Sequence, residues 1–525
     1  MQAMTQGRDG ISLAHARALK LIGGARRLSL AAAVLVIAAL VAGTAGTSYA
    51  KSKKKIVNTP PANRLEDTVV VSNYGAVFDG SLETFVAGAG HNAGPALRVT
   101  GPKTNLGSST GAAGDSVSSL DAHIAVTVPI DFFDLTGCGP FGEPANAPHY
   151  GTGFFEIFSD SANGNSPPEN IICSPNFAFG APNTTGVFYP QGVAFESPYD
   201  GVNPGHDIVA VANQFPLVDG PDGGVAACAT PPPECPQTCG PNSPGAAPCT
   251  SLGTITEYDR STLAPGLDND PPFNNNPVSA LNPFSNAPYT QNATIGGCLS
   301  LLAGPAGVAF DQTGFLFVVN NAGFDAAALG AAPRYVTVYA PGRYGDVFPT
   351  TLMGNCGCSC AASPTVGSFA KPDGSSTQPI AAAVLSGPIN LDTGFPEDIV
   401  YVANMADNSI RTFDPFTNFD GSNFFFDGAQ LGTIAGPHTK LRGPEGIAID
   451  AAGDALYVVS SDNNSLEMFT DFPSTGGDIP PTLIVSGPHA KMNLPVGAAL
   501  AAFTPTPVPT CTVASSRISG DSSCD

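Results

Sequence analysis

Six histidines lie beyond residue 50, and two of them, His438 and His489, sit in matching Gly-Pro-His triplets. An imidazole titrates near neutral pH, so this pair, joined by His91, could ligate a divalent metal or serve as general base in a hydrolase or lyase. Metal-assisted hydrolysis needs about three convergent ligands, and no His-Glu-x-x-His spacing occurs. Solvated turn histidines are the competing reading. Cys356, Cys358 and Cys360 place three thiols within five residues, a set that suits copper or zinc. Asp268-Asn269-Asp270 could touch calcium, although an Asn/Pro-rich loop needs no ion. Gly107-Ser108-Ser109-Thr110-Gly111 satisfies the nucleophile-elbow string but lacks the strand and helix that present such a serine. No cofactor is assigned on these signals; calcium or zinc is the ion that a site here would take.

These residues must be positioned by β-structure. A pattern of short β-branched runs separated by Gly, Pro, Asn and Asp returns along the chain. One apolar run recurs as Val69–Asn73, Ile124–Val128, Ile208–Asn213, Leu316–Asn320, Ile399–Asn404 and Leu456–Val459. A following run ends in an aromatic at Phe85, Phe158, Tyr258, Tyr339, Phe413 and Phe469. A last one begins at Leu97, Ile171, Thr294, Thr351, Thr433 and Thr482. Three counts of six, with an earlier run such as Pro444–Ile449, predict an all-β, six-bladed β-propeller of four-stranded antiparallel blades. Leu494–Leu500 resembles the start of a repeat with nothing after it, and the first repeat lacks that start. The ring is therefore expected to close by this C-terminal strand joining the first blade, which removes free sheet edges.

The pattern Pro-x-Gly-Ile/Val-Ala-x-Asp, then Leu-Tyr-Val-Ala/Val-Asn/Ser, then Asn-Ser-Ile/Leu-x-x-Phe resembles the NHL repeat. Gly304–Tyr339, Gly387–Phe413 and Gly443–Phe469 carry it best, while the third repeat has Glu196 where Asp is expected. The resemblance spans about residues 67–503 and implies the fold, not the activity, because such propellers include protein-binding modules, lyases and lactonase-like hydrolases. It implies that ligands enter on the face where strand two leads to strand three. That face collects Asn73, Asn213, Asn320, Asn404 and Ser460 as candidate ligand-binding residues, with Lys103, His438 and His489 from the Gly-Pro-x turns. Asn at a strand end is also a turn former that bonds its own backbone. Asp311 and Asp450 are read as turn caps.

Export frames the rest. Arg8, Arg17, Lys20, Arg26 and Arg27 precede an uncharged run, Leu28–Val41, and Ser48 and Ala50 supply the small side chains of a cleavage site. Residues 1–50 are read as a signal peptide, 51–66 as a basic linker, 67–503 as the propeller and 504–525 as a Pro/Cys tail. Insertions fall near 220–251 and 354–378. Lys51, Lys53, Lys54 and Lys55 keep an uncleaved anchor as the alternative. Cleavage leaves no further transmembrane segment and a net charge of −26, which disfavours nucleic acid. Twelve cysteines, Cys138, Cys173, Cys228, Cys235, Cys239, Cys249, Cys298, Cys356, Cys358, Cys360, Cys511 and Cys524, are disulfide candidates in an oxidising, periplasmic or secreted compartment. The expected protein is a monomeric binding or scaffold propeller for a protein, peptide or small-molecule ligand. The alternative is a metal-dependent, lactonase-like hydrolase or lyase at the channel mouth.

Overall fold

A computed structural model describes residues 68–74, 80–86, 88–101, 103–104, 106, 116–120, 123–129, 154–173, 187, 189–196, 208–214, 253–259, 294–296, 300–321, 334–345, 347–354, 369, 378–390, 393–417, 419–420, 425–450, 453–470 and 472–501. The proposed signal, basic linker and tail, both insertions apart from Gly354, Phe369 and Gln378, and every cysteine side chain lie outside them.

The chain begins with β1 (Thr68–Asn73), β2 (Ser81–Val86) and β3 (Leu97–Val99). Next come β4 (Ser116–Leu120), β5 (His123–Val128), β6 (Phe154–Ser159) and β7 (Asn170–Cys173), then β8 (Pro190–Phe195), β9 (Ile208–Asn213), β10 (Thr254–Asp259) and β11 (Thr294–Ile295). They are followed by β12 (Pro305–Phe310), β13 (Leu316–Asn320), β14 (Tyr335–Tyr339) and β15 (Thr351–Met353). Then come β16 (Pro379–Leu385), β17 (Ile399–Asn404), β18 (Ser409–Asp414), β19 (Phe419–Asp420) and β20 (Phe425–Ile434). The last are β21 (Pro444–Ile449), β22 (Leu456–Ser460), β23 (Ser465–Phe469), β24 (Gly476–Gly477), β25 (Leu483–Ser486) and β26 (Pro495–Ala501).

The fold is all-β and propeller-like. Four sheets have four strands, in the orders β26-β1-β2-β3, β4-β5-β6-β7, β8-β9-β10-β11 and β21-β22-β23-β25. The fifth has ten strands and contains two further meanders, β12-β13-β14-β15 and β16-β17-β18-β20. The expected closing strand is present: β26 pairs antiparallel with β1 from Thr68↔Ala501 to Asn73↔Pro495. The first strands also touch in a cycle, β4 to β8, β12, β16, β21, β26 and back to β4.

The ten-stranded sheet departs from the expectation of separate blades, and a loop explains it. The segment between a meander's third and fourth strands runs alongside the fourth strand of the preceding meander. It forms parallel bridges there, Val99↔Gly164 and Ile295↔Gly345, and the β20–β24 pairing at Thr433↔Gly476. In β20 that segment and the fourth strand fuse into ten continuous residues, so Phe426–Gly428 pair in parallel with β15 while Ala429–Ile434 pair with β18. Hydrogen bonding thus runs on from one meander into the next.

An apolar layer fills each seam between consecutive meanders. Val70, Leu82 and Ala499 meet Ile124, Val126 and Phe158 at one seam, and Val69, Val71 and Phe85 meet Tyr457, Val459 and Leu466 at the seam that joins the chain's two ends. Successive residues of β1 therefore face opposite seams, which is why the second strands are apolar without alternation. Each fully buried Val or Leu contributes roughly 1.5–3 kcal/mol of transfer free energy. Toward the axis the first strands pack backbone to backbone. A Cβ on Gly192 would stand 2.6 Å from the Ala306 carbonyl oxygen, and one on Gly307 2.4 Å from that of Ile380, so the Pro-x-Gly pattern is a requirement of close approach.

Candidate functional site

Asn73, Asn213, Asn320, Asn404 and Ser460 each end a second strand opposite the proline that begins the first strand, and each is fully buried. Asn73 Oδ1 accepts the Asn493 N–H at 3.0 Å, Asn320 Oδ1 that of Ala303 at 2.8 Å, and Ser460 Oγ that of Arg442 at 3.3 Å. Each donor lies two residues before the proline. The amide side chains also donate inward: Asn320 to Val318 O and Thr337 Oγ1, Asn213 to Thr256 Oγ1, and Asn404 to Val402 O.

The residue before each proline completes the clasp. Tyr189, Gly304, Gln378, Gly443 and Leu494 all adopt left-handed backbone, at φ 52°, 60°, 55°, 59° and 50°. Their carbonyls accept the N–H groups of Gln214, Asn321, Met405, Ser461 and Tyr74, each the residue just after the buried Asn or Ser. Asn73, Asn320 and Ser460 of the row predicted at the channel mouth are thus engaged in fastening the start of the first strand to the end of the second, and the backbone half of the clasp is present at all five positions.

The Gly-Pro-x turns follow the fourth strands, at the sheet edges farthest from the first strands. Each is capped by a side chain of the next meander: Lys103 N–H by Asn165 Oδ1 at 2.7 Å, His438 N–H by Asp478 Oδ1 at 2.8 Å, and His489 N–H by Asn92 Oδ1 at 3.1 Å. His438 Nδ1 also lies 2.7 Å from Asp478 Oδ2. His91 adjoins Asn92 and so belongs to the His489 turn, whereas His438 lies one seam away. Among the described residues, no three His, Cys, Asp or Glu side chains group in a way that could hold a metal ion. Gly107–Gly111 and Asp268–Asp270 lie outside the described residues.

A different set of side chains converges on the opposite face, at the seam between β8–β11 and β12–β15. A narrow cleft of about 20 Å³, room for about one water, is lined by Glu196, Glu257, Tyr344, Phe310 and Leu316, with exposed Arg343 among its lining residues. Its far wall is the 340–345 segment, held to β11 by the Gly345 N–H to Thr294 O bond at 2.8 Å. Glu257 and Glu196 are 6% and 5% exposed. Burial pushes the Glu257 carboxyl up to about 7, against a hydrogen bond donated by the Tyr344 hydroxyl. Burial also raises the Tyr339 phenol in the same wall, whose hydroxyl donates to Ser300 O.

The aligned repeats contain a signal for this cleft that strand counting passes over. Glu257 stands where the other third strands carry Thr84, Ile157, Val338, Thr412 and Met468. Glu196 replaces the capping Asp of other first-strand ends: Asp311 accepts the N–H groups of Thr313 and Phe315, and Asp450 those of Asp454 and Ala455.

No protein-family model and no curated protein matches the chain. Among solved structures, a provisionally named 6-phosphogluconolactonase of Bacteroides fragilis NCTC 9343 is similar at 13% identity over 84% of this chain and 99% of that one, with a TM-score of 0.37. A nidogen/laminin complex is similar at 7% identity over 83% and 97%, with a TM-score of 0.35. A functionally unknown protein from Desulfotomaculum acetoxidans DSM 771 is similar at 11% identity over 83% and 99%, with a TM-score of 0.36.

Proposed function

We propose that the chain is a six-bladed, NHL-like propeller that works outside the cytoplasm as a binding scaffold, its blades fastened by buried clasps and its loops pinned by disulfides. The cyclic contact of the first strands and the β26–β1 pairing support the six-blade reading, with β20 bridging two blades. The Leu28–Val41 run and the twelve cysteines support export. No helix among the described residues is long and apolar enough to cross a membrane.

One observation carries the binding reading. On a framework built by repetition, the third blade places two carboxyls, Glu196 and Glu257, in the lining of one cleft. A buried acid costs desolvation free energy that a Thr or Val at the same position does not; Glu83, Glu156 and Glu467 bear that cost on other third strands, and what distinguishes Glu257 is its place in a cleft wall. The experiment offers the purified mature protein to panels of small ligands and of lactones and esters, with and without added zinc or calcium. Saturable binding without turnover is expected. Turnover that is lost on Glu257→Gln replaces scaffold with hydrolase, a reading favoured by a carboxyl that exchanges protons near neutral pH. Turnover that depends on metal and is lost on His489→Ala restores the metal-dependent alternative.

A further inference from the structure

Gly164, Gly345 and Gly476 hold one position in three meanders, each bridging in parallel to the fourth strand of the meander before it. All three adopt left-handed backbone, at φ 62°, 83° and 76°, a conformation that selects glycine. The residue before them varies: Tyr344 and Thr475 stand there in two cases, and Asn163 in the third. Asn163-Gly164 is the single Asn-Gly pair in the sequence. The fold therefore demands the glycine and does not demand the carboxamide beside it.

A carboxamide followed by glycine can close on its own backbone, because a residue without a side chain leaves the next peptide nitrogen open to approach. Asn163 and Gly164 are both exposed. The Gly164 N–H donates to Asn163 Oδ1 at 3.0 Å, which holds the nitrogen against the carboxamide it would attack, and shares its proton with Arg98 O at 2.7 Å. Two further donors act on the reacting groups. The Arg98 N–H donates to Asn163 Oδ1 at 3.1 Å, on the oxygen where negative charge develops during attack. The Ser166 hydroxyl donates to the Asn163 carbonyl oxygen at 2.5 Å, which draws electron density from the Asn163–Gly164 peptide and makes its N–H more acidic.

We propose that Asn163 is a self-modification site that forms a cyclic imide with Gly164 and opens to aspartate or isoaspartate. The Gly164 nitrogen gives its proton to solvent base and bonds to Asn163 Cγ; the Cγ–Nδ2 bond breaks, and that nitrogen leaves as ammonia with a proton from water. Water then adds to the imide. Addition at Cγ restores the ordinary backbone with a carboxylate at residue 163, which retains an acceptor for the Arg98 N–H. Addition at the former backbone carbonyl routes the chain through Cγ and lengthens it by one methylene. That product shifts Gly164 against Val99, and Asn165 against the Lys103 N–H that it caps at 2.7 Å. Modification thus loosens the rim of the seam between the first two meanders.

The experiment ages the full mature chain at pH 8, native and unfolded in guanidinium chloride, and follows the amide-to-acid mass gain by peptide mass spectrometry. In the native chain Asn163 should convert well ahead of Asn165, its exposed neighbour followed by serine, and at least as fast as in the unfolded chain. Ser166→Ala should slow native conversion about threefold or more, since the peptide loses the donor that polarises it. Conversion of Asn163 no greater than that of Asn165 overturns the proposal. So does a native rate about tenfold below the unfolded one, as for an amide locked in a protected bridge, or an unchanged rate in Ser166→Ala. Should that variant not fold, the native-against-unfolded comparison on the unaltered chain still decides.

Discussion

Asn73 and Asn493 are 420 residues apart in sequence, yet the side-chain Oδ1 of the first accepts the backbone N–H of the second at 3.0 Å. Beside that bond the Leu494 carbonyl accepts the Tyr74 N–H at 3.0 Å. The same pair of bonds, side-chain oxygen to the residue two before a proline and carbonyl to the residue after the Asn or Ser, occurs within single meanders at Asn320 and Ser460. The junction between the chain's ends is therefore built as an ordinary repeat.

Asn320→Ala should destabilise the protein by about 1–3 kcal/mol, because it leaves the buried Ala303 N–H without an acceptor. The readout is the urea midpoint at constant slope. Lys103→Ala, at an exposed turn capped through its backbone, should move the midpoint by less than about 0.5 kcal/mol. Equal effects of the two variants would mean that the asparagine row is not structural.

Gly307→Val should destabilise by about 1–3 kcal/mol or prevent folding, since its Cβ would stand 2.4 Å from Ile380 O and 2.9 Å from the Ala381 Cα. Gly342→Ala is the control: its added Cβ meets nothing within 4 Å, although its φ of 69° carries the smaller backbone penalty of any side chain there. Thermal unfolding of both variants separates steric clash at the axis from left-handed strain at a loop.

Asp398 and Asp311 meet across the seam between the β12 and β16 meanders, 1% and 2% exposed. Asp398 Oδ1 accepts the Gly387 N–H at 2.9 Å, while its Oδ2 finds no donor as long as both groups are ionised. Burial pushes Asp398 up to about 8, and the Asp311 charge adds to the shift. A raised pKa gives a stability contribution that is complete below the unfolded value, near 4, and is lost as pH climbs through about 8. Wild-type stability should accordingly fall between pH 5 and pH 9. Asp398→Asn, which supplies an N–H in place of the shared proton, should flatten that decline and exceed wild type at pH 9 by roughly 1–3 kcal/mol. Parallel pH profiles of the two proteins would remove the proton from the seam.

Legibility in the sequence followed burial. Second strands such as Val69–Val71 and Val318–Val319 face two seams, so they stand out as unbroken apolar runs, and the third-strand aromatics mark where each meander fills its seam. The first strand of the second meander, Ser116–Leu120, is not legible in the sequence because Ser-Val-Ser-Ser-Leu has neither the Pro-x-Gly start nor an apolar majority. The fusion of β20 has no sequence signal for a different reason: Phe426–Gly428 pairs with a strand of the preceding meander, a non-local contact with no sequence period. For the asparagines the sequence offered both turn and ligand roles, and only the partners at Asn493 and Ala303 show what their oxygens hold. Glu257 carried its signal only by contrast with the residues at its position in the other repeats.

The most direct test is hydrogen–deuterium exchange of the intact chain, comparing peptides that cover Thr68–Asn73 and Pro495–Ala501 with one that covers Leu456–Ser460 in the core. Closure through β26 predicts that all three exchange on the same slow timescale, as members of one cooperative unit. Fast exchange of Pro495–Ala501 beside a protected core would mean that the last strand does not close the ring.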